Sequence, residues 1–245
     1  MKKFLMLVRW EYSGMFGWLC AIAGGMAALQ FILINLRIYD GGVVVPLSQA
    51  IRESRASVVF FIAFAVLMGL IAARLFMGFA TSKSIYVLLA LPGKRKHIYQ
   101  SKLAAAGVAA GVLVAAQMAV VKAAEIRMGL TGDSLRRGAD FYLTLLDIPF
   151  LRMIYPATGL TVFAALTVLF GSVCVVLYAA TAVKAKRYKG SIIATVLWMG
   201  TLLLSFPLHE NLRSINTFRL TVMLVIAVAV TKMGMALFES GEVAG

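Results

Sequence analysis

Few residues of this chain have the type and spacing that chemistry requires. It holds two histidines and ten Asp and Glu residues. Catalysis inside a membrane needs paired carboxylates or imidazole ligands held together. His97 stands in a basic stretch and His209 just after Pro207, no His-Glu-x-x-His occurs, and every carboxylate lies outside the centres of the long apolar runs. Lys122 and Glu125 come nearest to a buried pair, at the end of an apolar run where an interfacial ion pair is expected. Cys20 and Cys174 lie within apolar stretches, where a thiol behaves as a small hydrophobe, so neither a disulfide nor a metal site is expected. For a Gly-x-x-x-x-Gly-Lys-Ser/Thr phosphate loop the nearest approach is Gly93-Lys94, but Leu88 stands where the first glycine is needed and Arg95 follows. The chain is therefore read as no enzyme, with no catalytic, cofactor or metal-binding residue. What remains inside the apolar runs is a set of uncharged polar side chains: Gln30, Asn35, Gln117, Thr161, Thr167 and Ser172. These either face a polar pathway or hydrogen-bond helix to helix.

The elements that must position them are set by composition. Of 245 residues, 62% are hydrophobic and 14% charged, with a mean hydropathy of +0.92, whereas a soluble domain carries roughly 25% charged residues. Apolar windows of about 20 residues, enough to cross a bilayer as helix, fall at 14–36, 57–79, 103–124, 155–183, 190–207 and 218–238. Backbone polar groups in lipid must find partners within the segment, so these runs are read as helices. The expected fold is an all-α membrane protein of six transmembrane helices, forming one domain over residues 1–245. Lys2 and Lys3 ahead of the first run imitate a signal peptide, but the run is longer than a signal core and Arg9 and Glu11 interrupt its approach. It is read as a retained helix. Ala104, Gly107, Gly111 and Ala115 form a small-residue stripe suited to close helix packing, within the chain or with another.

Orientation follows from the basic residues. With the N-terminus inside, 14 of the 24 Lys and Arg fall on the inner side, including Lys94, Arg95, Lys96 and Lys102 after the second span and Lys184, Lys186, Arg187 and Lys189 after the fourth. Seven of the ten acids fall outside. The positive-inside bias then places both termini in the cytosol. The net charge of +14 is accounted for by this bias and by anionic lipid headgroups, so membrane lipids are expected partners and nucleic acid is not. Arg74 and Lys232, near inner ends of spans, are expected to snorkel.

The most informative stretch lies between the second and third spans. Ile85 to Leu91 is apolar but far too short to cross a bilayer. Ser82 or Ser84 can cap a helix start and Pro92-Gly93 ends it, so a short cytoplasmic helix closed by a turn is predicted, followed by Lys94, Arg95 and Lys96. Its exposed Tyr86, Leu88, Leu89 and Leu91 need cover, from a protein groove or from the inner leaflet.

This segment resembles the loop between spans two and three of ABC-2-type ABC transporter permeases: Leu88-Leu89-Ala90-Leu91-Pro92, then Lys94-Arg95-Lys96-His97-Ile98, then Lys102. Trp10-Glu11 in a basic, aromatic N-terminal segment and six spans with both ends inside agree with that family. Where many members carry an acidic-basic pair ahead of the loop helix, this chain has Thr81, Ser82 and Lys83. The resemblance implies a coupling helix seated in an ABC ATPase subunit, which would bind ATP and Mg. The contact would use Ser84, Ile85, Tyr86, Leu88, Leu89, Leu91, Pro92, Lys94, Arg95 and Lys96. It further implies a second permease copy or a paralogous permease as partner, a bacterial plasma membrane location, and export of a bacteriocin-like peptide or amphipathic small molecule. The alternative is a non-transporting membrane scaffold or immunity protein.

Overall fold

In the computed structural model, residues 2–38, 46–80, 95–130, 144, 147–148, 151, 159–205 and 217–240 are described. All regular structure among them is helical: α1 (Lys2–Ile38), α2 (Leu47–Glu53), α3 (Ala56–Ala80), α4 (Lys96–Leu130), α5 (Gly159–Lys184), α6 (Tyr188–Ser205) and α7 (Thr217–Ser240). Five stretches are long and apolar enough to cross a bilayer: Phe4–Ile38, Ala56–Gly78, Lys96–Met128, Ala165–Lys184 and Leu220–Ser240. The protein is a multi-pass membrane protein. The predicted fifth span falls on α6, which is 18 residues long and lies outside that set of five.

Two helices begin ahead of their predicted spans. The first was placed from Gly14 and the third from Leu103, yet α1 starts at Lys2 and α4 at Lys96. With 37 residues, α1 is about 55 Å long at 1.5 Å per residue, well beyond a hydrocarbon layer of ~30 Å. The surplus accommodates the basic and aromatic first turns.

Two compact units are distinguished, and the chain passes between them within α1, α3, α4 and α5. One unit comprises Met1–Met15, Met68–Val108 and Leu166–Gly245. Its packing follows helical periodicity: α7 buries Leu220, Met223, Ala227, Val230, Leu237 and Phe238 and exposes Val225, Val228 and Met233, which are apolar too. Large apolar side chains on the outward face suit a lipid solvent. Close approaches are made through glycine, for a β-carbon at Gly171 would fall within the Trp198 ring and one at Gly234 within the Tyr99 ring. The Trp198 indole N–H donates to Ser172 Oγ at 3.1 Å, so the bulky ring is also satisfied as a donor.

The other unit comprises Phe16–Leu67 and Ala109–Ala165. Its core joins Ile34 and Ile38 of α1, Leu47, Ala50 and Ile51 of α2, Ala56 of α3, Val120, Val121 and Ala124 of α4, and Ile148 and Leu151. The short α2 ends in a turn where Ser54 N–H donates to the Ala50 carbonyl at 2.9 Å. An Arg52–Asp147 ion pair at 3.1 Å ties α2 to the segment carrying Ile148.

The α5 to α6 connection is tight. Arg187 N–H donates to the Ala182 carbonyl at 2.8 Å and Lys186 N–H to that of Val183 at 3.1 Å, the paired bonds of a Schellman helix ending. Such an ending needs a left-handed residue, usually glycine, and Lys186 holds that place at φ 58°. Lys186→Gly is therefore expected to stabilise the protein by about 1 kcal/mol, seen as a higher melting temperature in detergent without added lipid.

Candidate functional site

Most of the predicted partner-contact set lies outside the described residues: Ser84, Ile85, Tyr86, Leu88, Leu89, Leu91, Pro92 and Lys94. Arg95 and Lys96 are described, in the turn and first residue that open α4. The Arg95 carbonyl accepts from Ile98 N–H at 3.0 Å.

The first two turns of α4 are fastened to α1 and α7. Lys96 stands 3.8 Å from the Glu239 carboxylate of α7. A cation at a helix N-terminus and an anion near a C-terminus each oppose the helix dipole, so pairing them relieves both. The His97 ring lies edge-on to Phe4 of α1, with centroids 6.4 Å apart. Tyr99 is 1% exposed; its ring tilts against Phe238 at 5.5 Å and rests on Gly234. The side-chain amide of Gln100 reaches Met235 Sδ at 3.5 Å, and Ser101 Oγ donates to the Ile98 carbonyl at 2.9 Å.

At the end of this stretch Lys102 Nζ donates to Glu11 Oε1 at 2.5 Å. Both side chains are nearly enclosed, 9% and 14% exposed. Neither has an opposite charge three or four residues away along its own helix, so neither can be satisfied locally. Sequence reasoning placed both residues but did not pair them. The available signal was that missing local partner: an acid and a base set in apolar surroundings each require a remote counter-charge. Arg74, expected to snorkel, lies across Gly14 of α1, where a β-carbon would collide with its guanidinium.

The six candidate pathway residues fall in both units. Thr161 lies in α5, its side chain outside the described residues. Thr167 and Ser172 belong to the unit that holds the α4 root. Both are buried; Thr167 is engaged by a neighbour, and Ser172 donates to the Val168 carbonyl at 2.7 Å while accepting from Trp198. Ser172 thus links α5 to α6 through Trp198.

Gln30, Asn35 and Gln117 fall in the other unit. Gln30 Nε2 donates to the Ala56 carbonyl at 2.7 Å, and Asn35 Nδ2 to the Phe31 carbonyl at 2.7 Å. The carbonyl oxygens of both side chains have no partner, and Gln117, fully buried, has none for either polar atom. Gln30 lies one turn before Ile34, and Gln117 one turn before Val120 and Val121, so both border the same apolar core. An unpaired buried polar group costs about 1–3 kcal/mol, and here the orphan atoms lie at the edge of one cluster.

The Lys122–Glu125 ion pair is formed along α4. No group of three or more His, Cys, Asp or Glu able to hold a metal ion occurs among the described residues. Cys20 is exposed and Cys174 buried, and neither forms a disulfide. No family model, curated protein or solved structure matches this chain.

Removing one member of a buried ion pair leaves the other charge uncompensated. Lys102→Met alone is expected to cost about 3 kcal/mol, whereas Lys102→Met combined with Glu11→Gln recovers more than half of that loss. Thermal unfolding of the four proteins of the cycle in one detergent measures it.

Proposed function

We propose that the chain is the membrane-spanning permease subunit of an ABC-2-type exporter, powered by a separate ATPase subunit that binds ATP and Mg. The observation that carries this reading is the order Leu88-Leu89-Ala90-Leu91-Pro92, a basic cluster, then Lys102 in the second turn of a membrane helix. On this reading residues 85–91 form the coupling helix in the cytosol, both termini are cytoplasmic, and α6, about 27 Å long, supplies the fifth of six spans in a bacterial plasma membrane. A second copy, or a paralogous permease, completes the pathway.

The fastening of the α4 root supports the reading mechanically. A force on the loop reaches α4 at Lys96, and the contacts with Glu239, Gly234, Phe238 and Glu11 pass it to α7 and α1. Packed contacts of this kind move as a body and do not absorb displacement. Of the six polar candidates, Gln117 fits a pathway role best, because its donor and acceptor are both unspent. A carboxamide of this kind recognises uncharged hydrogen-bonding groups such as peptide amides, in line with export of a peptide or an amphipathic small molecule.

Leu89→Asp with Leu91→Asp is expected to abolish co-purification of the ATPase subunit while membrane insertion, followed by cysteine labelling, is unchanged. Full retention of the complex would show that the contact lies elsewhere. Gln117→Leu is expected to raise the melting temperature, by relief of an orphan polar group worth about 1–3 kcal/mol, and to lower substrate-stimulated ATP hydrolysis of the complex. A variant that is more stable and fully stimulated would make Gln117 a packing residue only.

A further inference from the structure

The connection between α5 and α6 concentrates charge. Lys184, Lys186, Arg187 and Lys189 fall within six residues, with no acid among them. Since Ala165–Lys184 is long and apolar enough to cross a bilayer, the turn that follows stands at a membrane surface. Lys186, Arg187, Tyr188 and Lys189 are all exposed, and neither Lys186 nor Lys189 has an ionic partner among the described residues.

The turn is built rather than slack. Its backbone bonds to Ala182 and Val183 close the end of α5. Ser191 Oγ donates to the Ala179 carbonyl at 3.4 Å, and the Tyr178 hydroxyl lies 2.8 Å from where a β-carbon on Gly190 would sit. The start of α6 is therefore held against the end of α5, and the cations project from a rigid point. At the left-handed position, where glycine relieves strain, the chain carries a lysine. A disfavoured backbone conformation kept in place by its surroundings is a pointer to function, and the property that Lys186 has and glycine lacks is a cationic arm.

We propose that this turn is a binding site for anionic phospholipid, with the headgroup phosphodiester held by Lys186 and Lys189 and the exposed Tyr188 ring at the headgroup level. Lys184 and Arg187 add to the local positive potential. The occupant follows from charge complementarity and from the location: the end of a membrane helix faces phosphodiester headgroups, and an interfacial Tyr suits that depth. This site is independent of the transporter reading.

The test uses the purified full-length protein in detergent, with dioleoyl phosphatidylglycerol or dioleoyl phosphatidylcholine added, read by melting temperature and by native mass spectrometry of retained lipid. Phosphatidylglycerol is expected to raise the melting temperature more than phosphatidylcholine, and the difference should shrink at high salt. Lys189→Gln and Lys186→Gln are each expected to weaken phosphatidylglycerol binding about fivefold. Lys186→Gly should do the same although it relieves the backbone, which separates lost charge from lost folding. An unchanged phosphatidylglycerol response in the Lys186→Gly, Lys189→Gln double variant would overturn the proposal, as would equal responses to the two lipids. Full displacement of the lipid by millimolar inorganic phosphate would also overturn it, since the site would then take free phosphate.

Discussion

Hydrocarbon offers helices neither a hydrogen-bond partner nor a reason to bury apolar surface against one another. What joins them must be close packing and polar contact. This constraint explains where the chain spends its unusual residues. Gly171 admits Trp198 and Gly234 admits Tyr99, and in each case a missing β-carbon lets an aromatic ring reach the facing backbone. The Trp198 to Ser172 bond adds direction to the first of these contacts. The apolar side chains of α6 and α7 that point outward, Ile192, Ile193, Val225 and Val228, need no such device because lipid is their partner.

The Glu11–Lys102 pair is the extreme case of the same constraint. Two charges withdrawn from water to 14% and 9% exposure, 91 residues apart in the chain, hold together α1 and α4. Desolvation makes such a pair a poor source of net stability, but it makes a wrong arrangement very costly, because either charge alone is stranded. The pair therefore acts chiefly on register: α4 has one rotation and one height at which Lys102 meets Glu11. The same placement brings Tyr99 onto Gly234 and Lys96 towards Glu239.

How much of this was legible in the sequence depended on whether the deciding interaction was local. Apolar run length is local, and the described residues of all six predicted windows are helical, five of the windows overlapping stretches able to cross a membrane. The helices α1 and α4 begin ahead of the spans expected from 14 and 103, because Arg9, Glu11 and Lys102 read as charges that end an apolar run. The helices continue through them since Glu11 and Lys102 neutralise each other. The small-residue stripe of α4 is used only in part within this chain. Gly107 does meet Phe170, but Gly111 meets nothing and Ala115 is exposed, while Ala105, Ala106, Ala109, Ala110 and Leu113 form the buried face. In a helix so rich in alanine both faces are narrow. The face that turns inward is chosen by its anchors at either end, Tyr99 and Lys102 on one side and Val120 and Val121 on the other.

The orphan polar atoms divide unevenly between the two units. In the unit that carries the α4 root, the buried Ser101, Lys102, Ser172, Thr181 and Ser191 all have partners, and the Tyr99 hydroxyl is the exception among described side chains. In the other, Gln30, Asn35 and Gln117 together leave four polar atoms unpaired. A network with every member satisfied is rigid, whereas unpaired groups in a low-dielectric setting gain most from any guest that can bond to them. On the proposed function the two properties belong to different tasks. The satisfied unit would transmit displacement from the loop, and the unpaired carboxamides would be where a hydrogen-bonding substrate gains contacts.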